Sequence, residues 1–192
     1  MKYVLILYPI DPCIDTSLNP FFGNKEKSII CYKNLIKNRY PDFKIVCVLF
    51  SIEGSAKDPD FSQLNELFKT EKDYYFGACG ISFDKHCKNK AYPEPKDIIN
   101  LCLKPVDELV VGGFHLWDCV SRVAEFAYKQ GIKVVIDEDL TQLFFLEENP
   151  NKIPTCRVLG LERRIKQLRE SSYCLFKYAR KKRKKIPWIA QF

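Results

Sequence analysis

Cys119 stands where a thiol can become a nucleophile. The stretch from Asp107 to Asp139 reads DELVVGGFHLWDCVSRVAEFAYKQGIKVVIDED. An apolar run, Leu109 to Val111, reaches Gly112 and Gly113, and a polar elbow then leads to Cys119. Val120, Val123, Ala124 and Ala127 follow at helical spacing, Gly131 closes the helix, and Lys133 to Ile136 starts a new strand. This is one βαβ unit with a cysteine at or near the N-terminus of its helix. Unpaired N–H groups and partial positive charge at a helix start lower a thiol pKa and can hold an oxyanion. The plainer reading of any one cysteine here is a buried structural thiol. His115, in the turn ahead of Cys119, is a candidate for substrate contact, with a surface turn histidine as the alternative.

Two other groupings bear on chemistry. Arg180, Lys181, Lys182, Arg183, Lys184 and Lys185 form an unbroken basic run. They supply six charges of a formal net +7, so the rest of the chain carries about +1. The basic character is therefore a C-terminal patch, suited to the phosphates of nucleic acid or to anionic lipid, or simply a solvated surface. Trp188 and Phe192, just beyond it, can stack on bases or anchor the C-terminus to the core. For metal binding the chain has two histidines, His86 and His115. A group of Cys79, His86 and Cys87 has irregular spacing and no assignable fourth ligand. The expectation is no metal and no cofactor.

Positioning these residues requires a core, and 192 residues suffice for one domain with a sizeable one. No apolar run approaches a membrane span, and the chain enters its first strand without a signal-peptide pattern. Nine cysteines, scattered and without CxxC spacing, suggest buried thiols in a cytoplasmic chain rather than a disulfide framework. Tyr3–Leu7 and Lys44–Phe50 are uniformly apolar, as strands buried on both faces are, and Tyr75–Phe83 is a weaker third strand. Helices are expected over Lys25–Asn38, Asp60–Lys69, Lys96–Lys104 and Gly160–Leu175, and loops over residues 9–24 and 84–95. The alternation predicts an α/β, single-domain, three-layer fold with a mostly parallel sheet flanked by helices. The domain is expected to span residues 1–178, with 179–192 a basic and aromatic C-terminal segment.

The region ELVVGGFHLWDCVSRVAEFAYKQGIKVVIDED resembles the signature of the isochorismatase-like cysteine hydrolases, which include nicotinamidases. Gly113, Cys119, Val120, Ala124, Ala127, Gly131 and Asp137 or Asp139 fit that family's spacing. The resemblance covers about a third of the chain and implies a six-stranded parallel sheet. It also implies a triad of an acid after the first strand, a lysine after the third, and the cysteine. Lys85 matches the lysine, to stabilise negative charge and shuttle a proton, with Lys88 and Lys90 competing for the role. The family's Asp-x-Gln after the first strand falls here on Tyr8 and Ile10, and Asp11 is the nearest acid. The histidines that hold metal in nicotinamidase-like members have no counterpart in VLFSIEGSAKDPDF.

The resemblance thus implies hydrolysis of an amide or related bond of a small molecule by Cys119, assisted by Lys85 and Asp11. Tyr8, His115 and Trp117 would line the substrate site. Some family members act on a vinyl ether without needing the cysteine, and many self-associate, so a homo-oligomer is expected. The competing expectation is a degenerate member serving as a binding or assembly protein through residues 180–185. Burial of Cys119 behind Tyr8 or Trp117 would favour that second view.

Overall fold

The structure is a computed structural model, which describes residues 1–17, 25–114, 119–141 and 187–188. Its centre is a sheet of five parallel strands: β1 (Lys2–Leu7), β2 (Lys44–Leu49), β3 (Tyr74–Ala78), β4 (Glu108–Gly113) and β5 (Lys133–Thr141). The spatial order is β3-β2-β1-β4-β5. β1 is central because its sequence is apolar at every position a strand presents to either face. Val4, Leu5, Ile6 and Leu7 are wholly buried, paired to β2 on one side and β4 on the other.

The helices are α1 (Asp11–Ser17), α2 (Lys25–Arg39), α3 (Glu66–Lys69), α4 (Phe83–Asn89), α5 (Pro95–Asn100) and α6 (Ser121–Lys129). Helix α2 joins β1 to β2, and α6 joins β4 to β5 on the other side of β1. Right-handed crossovers then put α2 and α6 on opposite faces of the sheet. Ile29, Tyr32, Leu35 and Ile36 of α2 are buried, at helical spacing. Val123, Ala124 and Ala127 do the same for α6, where the two alanines let the helix lie close to the strands. The result is the expected α/β three-layer fold with a parallel sheet. A sheet ordered 3-2-1-4-5 reverses direction between β1 and β4, and open α/β sheets keep their ligand crevice beyond the strand ends at that point.

Two segments expected as loops are helical. Residues 11–17 form α1, because Pro12 falls within the first turn, where a missing N–H costs nothing. Residues 83–89 form α4, started by the Ser82 hydroxyl, which accepts from the Lys85 N–H at 3.4 Å, and ended by Lys90 in the left-handed conformation. The helix expected over Asp60–Lys69 is shorter: it begins at Glu66, where Asn65 caps it by accepting from the Leu67 N–H at 3.0 Å. The third strand is also shorter than expected, ending at Ala78. The helix expected over Gly160–Leu175 lies outside the described residues. Trp188 behaves as an anchor: its carbonyl accepts from the Ile136 N–H at 2.7 Å, and its ring meets Tyr128 at 5.1 Å. Among the described residues no helix is long and apolar enough to cross a membrane.

Candidate active site

Two strand ends build the crevice. β4 ends in Gly113, whose φ of 102° is open to glycine, and a Cβ there would sit 2.2 Å from the Leu7 carbonyl oxygen. Only a bare α-carbon lets β4 pass this close to the end of β1. The Phe114 N–H then donates to the Leu7 carbonyl at 3.1 Å and holds the two ends together. Cys119 and Val120 stand directly ahead of α6. The thiol thus reaches the position read from sequence, at the head of the helix after β4. Cys119 is 3% exposed.

Across from it, β1 is followed by Tyr8. Its backbone is left-handed, with φ 57°, while its N–H still donates to the Val48 carbonyl at 2.9 Å. The ring is buried and stacks on Phe50 with centroids 4.2 Å apart and planes 12° from parallel. It leads into an aromatic group with Phe83, His86 and Tyr92. Burial pushes the Tyr8 hydroxyl well above its ordinary pKa, and the neighbouring thiols of Cys119 and Cys79 push it further. Among the described residues the hydroxyl has no partner at full hydrogen-bond geometry. The residue set near Cys119 is therefore Tyr8, the first residue after β1.

The other sequence candidates are engaged elsewhere. Asp11 opens α1, and its carboxylate accepts from the Asn65 side-chain amide at 2.6 Å. Lys85 lies on α4 with its side chain 55% exposed and its ammonium 4.0 Å from the Glu53 carboxylate. It borders a polar cavity of about 350 Å³ together with Ser51, Asp60, Gln63 and Lys88. His115, Trp117 and the basic run from Arg180 to Lys185 lie outside the described residues. Of the imagined metal group, Cys79 is buried and its thiol faces the Ile81 carbonyl, Cys87 is exposed, and His86 donates through Nδ1 to the Ala91 carbonyl at 2.8 Å. Among the described residues no group of three His, Cys, Asp or Glu side chains is placed to share a metal ion.

Arg122, which the sequence pattern does not single out, adjoins the aromatic group at Tyr92. The Arg122 guanidinium lies 3.9 Å from the centre of the Tyr92 ring, close enough for a cation–π contact. Its signal was available, since it follows Cys119 by three residues and so shares a helix face with it.

No protein-family model matches the chain, and no curated protein matches it in sequence. Among solved structures it is similar to an isochorismatase from Pseudomonas putida, with 16% identity over 85% of this chain and 82% of that one, at a TM-score of 0.44. It is also similar to N-carbamoylsarcosine amidase from Thermoplasma acidophilum, with 17% identity over 83% and 94%, at 0.39. The yeast nicotinamidase bound to nicotinaldehyde is similar at 13% identity over 88% and 96%, at 0.44. The likeness is one of fold. At these identities it assigns neither a residue nor a reaction to this chain.

Proposed function

We propose that this chain is an isochorismatase-like hydrolase that opens an amide or related bond of a small molecule through Cys119. The observation that carries the reading is the position of the thiol, at the head of the helix after β4 and facing the end of β1. In the proposed reaction the Cys119 sulfur attacks the carbonyl carbon, the carbon–nitrogen bond breaks, and the amine leaves with the thiol proton. Water then hydrolyses the thioester and returns the thiol. Backbone N–H groups leading into α6 would hold the oxyanion, and Lys85 would lend positive charge from the rim. Asp11 would need to release Asn65 to take part. His115 and Trp117 would contact the substrate.

The test is a panel of small primary amides and carbamoyl compounds with ammonia release as the readout. Turnover by the wild type that disappears in Cys119→Ala supports the reading. Turnover that survives the substitution contradicts it.

A second reading is favoured by one specific observation: Cys119 is 3% exposed, and Tyr8, buried beside it, stands where the acid belongs. Under it the chain keeps a hydrolase frame and serves as a binding or assembly protein. Its contact surface would be Arg180 to Lys185, and its partner a nucleic acid or an anionic membrane. Inactivity across the amide panel, together with salt-sensitive binding to RNA or phosphatidylserine vesicles that is lost when the six cations become glutamine, would favour this reading over the first.

A further inference from the structure

Tyr8 carries two costs at once. Its backbone is left-handed at φ 57°, a conformation that a bulky residue adopts only when its surroundings force it. Its hydroxyl is buried with no partner at full hydrogen-bond geometry among the described residues, only the Cys119 and Cys79 thiols lying near it, which is also unfavourable. Packing accounts for the ring, which stacks on Phe50. It does not account for the oxygen. A phenylalanine would fill the same space and leave no polar atom unpaired.

Two thiols lie near the hydroxyl, Cys79 just past the end of β3 and Cys119 at the head of α6, while His86 from α4 approaches only ring to ring at 6.2 Å. The Cys79 thiol is turned to the Ile81 carbonyl at 3.4 Å. The Cys119 thiol instead stands at the head of α6, beyond the end of β4. A neutral thiol is a poor acceptor for a phenol, but a thiolate is a strong one. The Tyr8 hydroxyl therefore gains its missing partner when Cys119 gives up its proton.

We propose that the Tyr8 hydroxyl is the proton-handling partner of Cys119, in the place where a carboxylate would otherwise stand. This rests on the hydrolase reading and goes further by naming the group that replaces the absent acid. As the sulfur–carbon bond forms, the phenol oxygen takes the thiol proton and passes its own proton to the departing nitrogen. The carbon–nitrogen bond breaks, the amine leaves neutral, and the phenol ends as it began. In the second half water gives one proton to the phenol as its oxygen bonds the thioester carbon, and the phenol returns one to the sulfur. Burial keeps the hydroxyl protonated between these steps, so it acts as a relay and not as a standing phenolate.

The test is the rate of Cys119 alkylation by iodoacetamide at pH 7 in the native protein, read by peptide mass spectrometry. The proteins compared are wild type, Tyr8→Phe and Tyr8→Gly, each with a urea-unfolded control. Tyr8→Phe keeps the stacked ring and removes only the oxygen. Loss of a phenol–thiolate hydrogen bond is expected to slow labelling of Cys119 about tenfold, the equivalent of one pKa unit. Equal or faster labelling in Tyr8→Phe overturns the proposal and leaves the hydrolase reading standing. Faster labelling in Tyr8→Gly with no change in Tyr8→Phe also overturns it, since the ring is then only a cover. A Cys119 that labels in urea but in none of the native proteins sinks both readings.

Discussion

Removing the Arg39 guanidinium should expose the most costly polar contact outside the crevice. Asp137 on β5 is fully buried, and its Oδ2 accepts from Arg39 Nη1 at 2.6 Å and from the Tyr40 hydroxyl at 2.7 Å. These groups are 97 and 98 residues from Asp137 in sequence, and they fasten the end of α2 to the edge of the sheet. Arg39→Met keeps most of the aliphatic packing and strands a carboxylate in the interior. Breaking a buried pair from one side typically costs about 3–5 kcal/mol. Arg39 is itself 24% exposed and the Tyr40 donor remains, so the lower end, about 3 kcal/mol, is expected here. In a chain of this size that corresponds to a fall in Tm of roughly 6–12 °C. Adding Asp137→Asn to Arg39→Met removes the orphaned charge and should recover about 1 kcal/mol or more. The assay is urea unfolding followed by far-ultraviolet circular dichroism, with the midpoint compared at constant m. A loss below about 1 kcal/mol for Arg39→Met would refute the reasoning, because the pair would then behave as an exposed one.

Two further perturbations follow from the fold. Gly113→Ala places a Cβ 2.2 Å from the Leu7 carbonyl oxygen at a φ of 102°, and both the clash and the strain oppose it. A loss above about 2 kcal/mol is expected, and a urea midpoint equal to that of wild type would show that β4 does not approach β1 this closely. In alkali, burial raises the Cys47 thiol, pushes Cys102 up to about 12, and raises the Tyr40 and Tyr74 hydroxyls. Each of these is an acid held protonated by the fold, so the folded chain binds more protons than the unfolded one above the ordinary pKa. Stability is full below about pH 8.5 and should then fall by about 1.4 kcal/mol per pH unit for each group, the thiols first and the tyrosines from about pH 10. A urea midpoint that stays flat from pH 8 to 11 would contradict this.

The strands of this chain were legible because parallel strands buried on both faces are written as unbroken apolar runs, and Tyr3–Leu7 and Lys44–Leu49 are such runs. The βαβ unit around Cys119 was legible for the same reason, with Gly113 and Gly131 marking its turns. Helix α4 was not, because none of its residues is buried and so no apolar period marks it. Helix α1 was hidden by the Pro, Asp and Asn density that ordinarily signals a turn. Cys119 could be singled out from spacing, whereas Tyr8 entered only through the resemblance, as a residue lining the site or covering the thiol. Nothing in the letters YPID announces a left-handed tyrosine, with φ 57° and its ring stacked on Phe50. The link from Arg39 to Asp137 was equally invisible, because only the folded sheet brings β5 to the end of α2.

The most direct test of Cys119 as the reacting group is acyl transfer from p-nitrophenyl acetate to the native protein, followed by intact-mass and peptide mass spectrometry. Cys87, which is exposed on α4, provides an internal competitor of ordinary accessibility. A hydrolase working through Cys119 predicts one acetyl group per chain in the first turnover, carried by the Cys119 peptide and absent in Cys119→Ala. Acetylation confined to Cys87 and surface lysines, with Cys119 untouched, would contradict it.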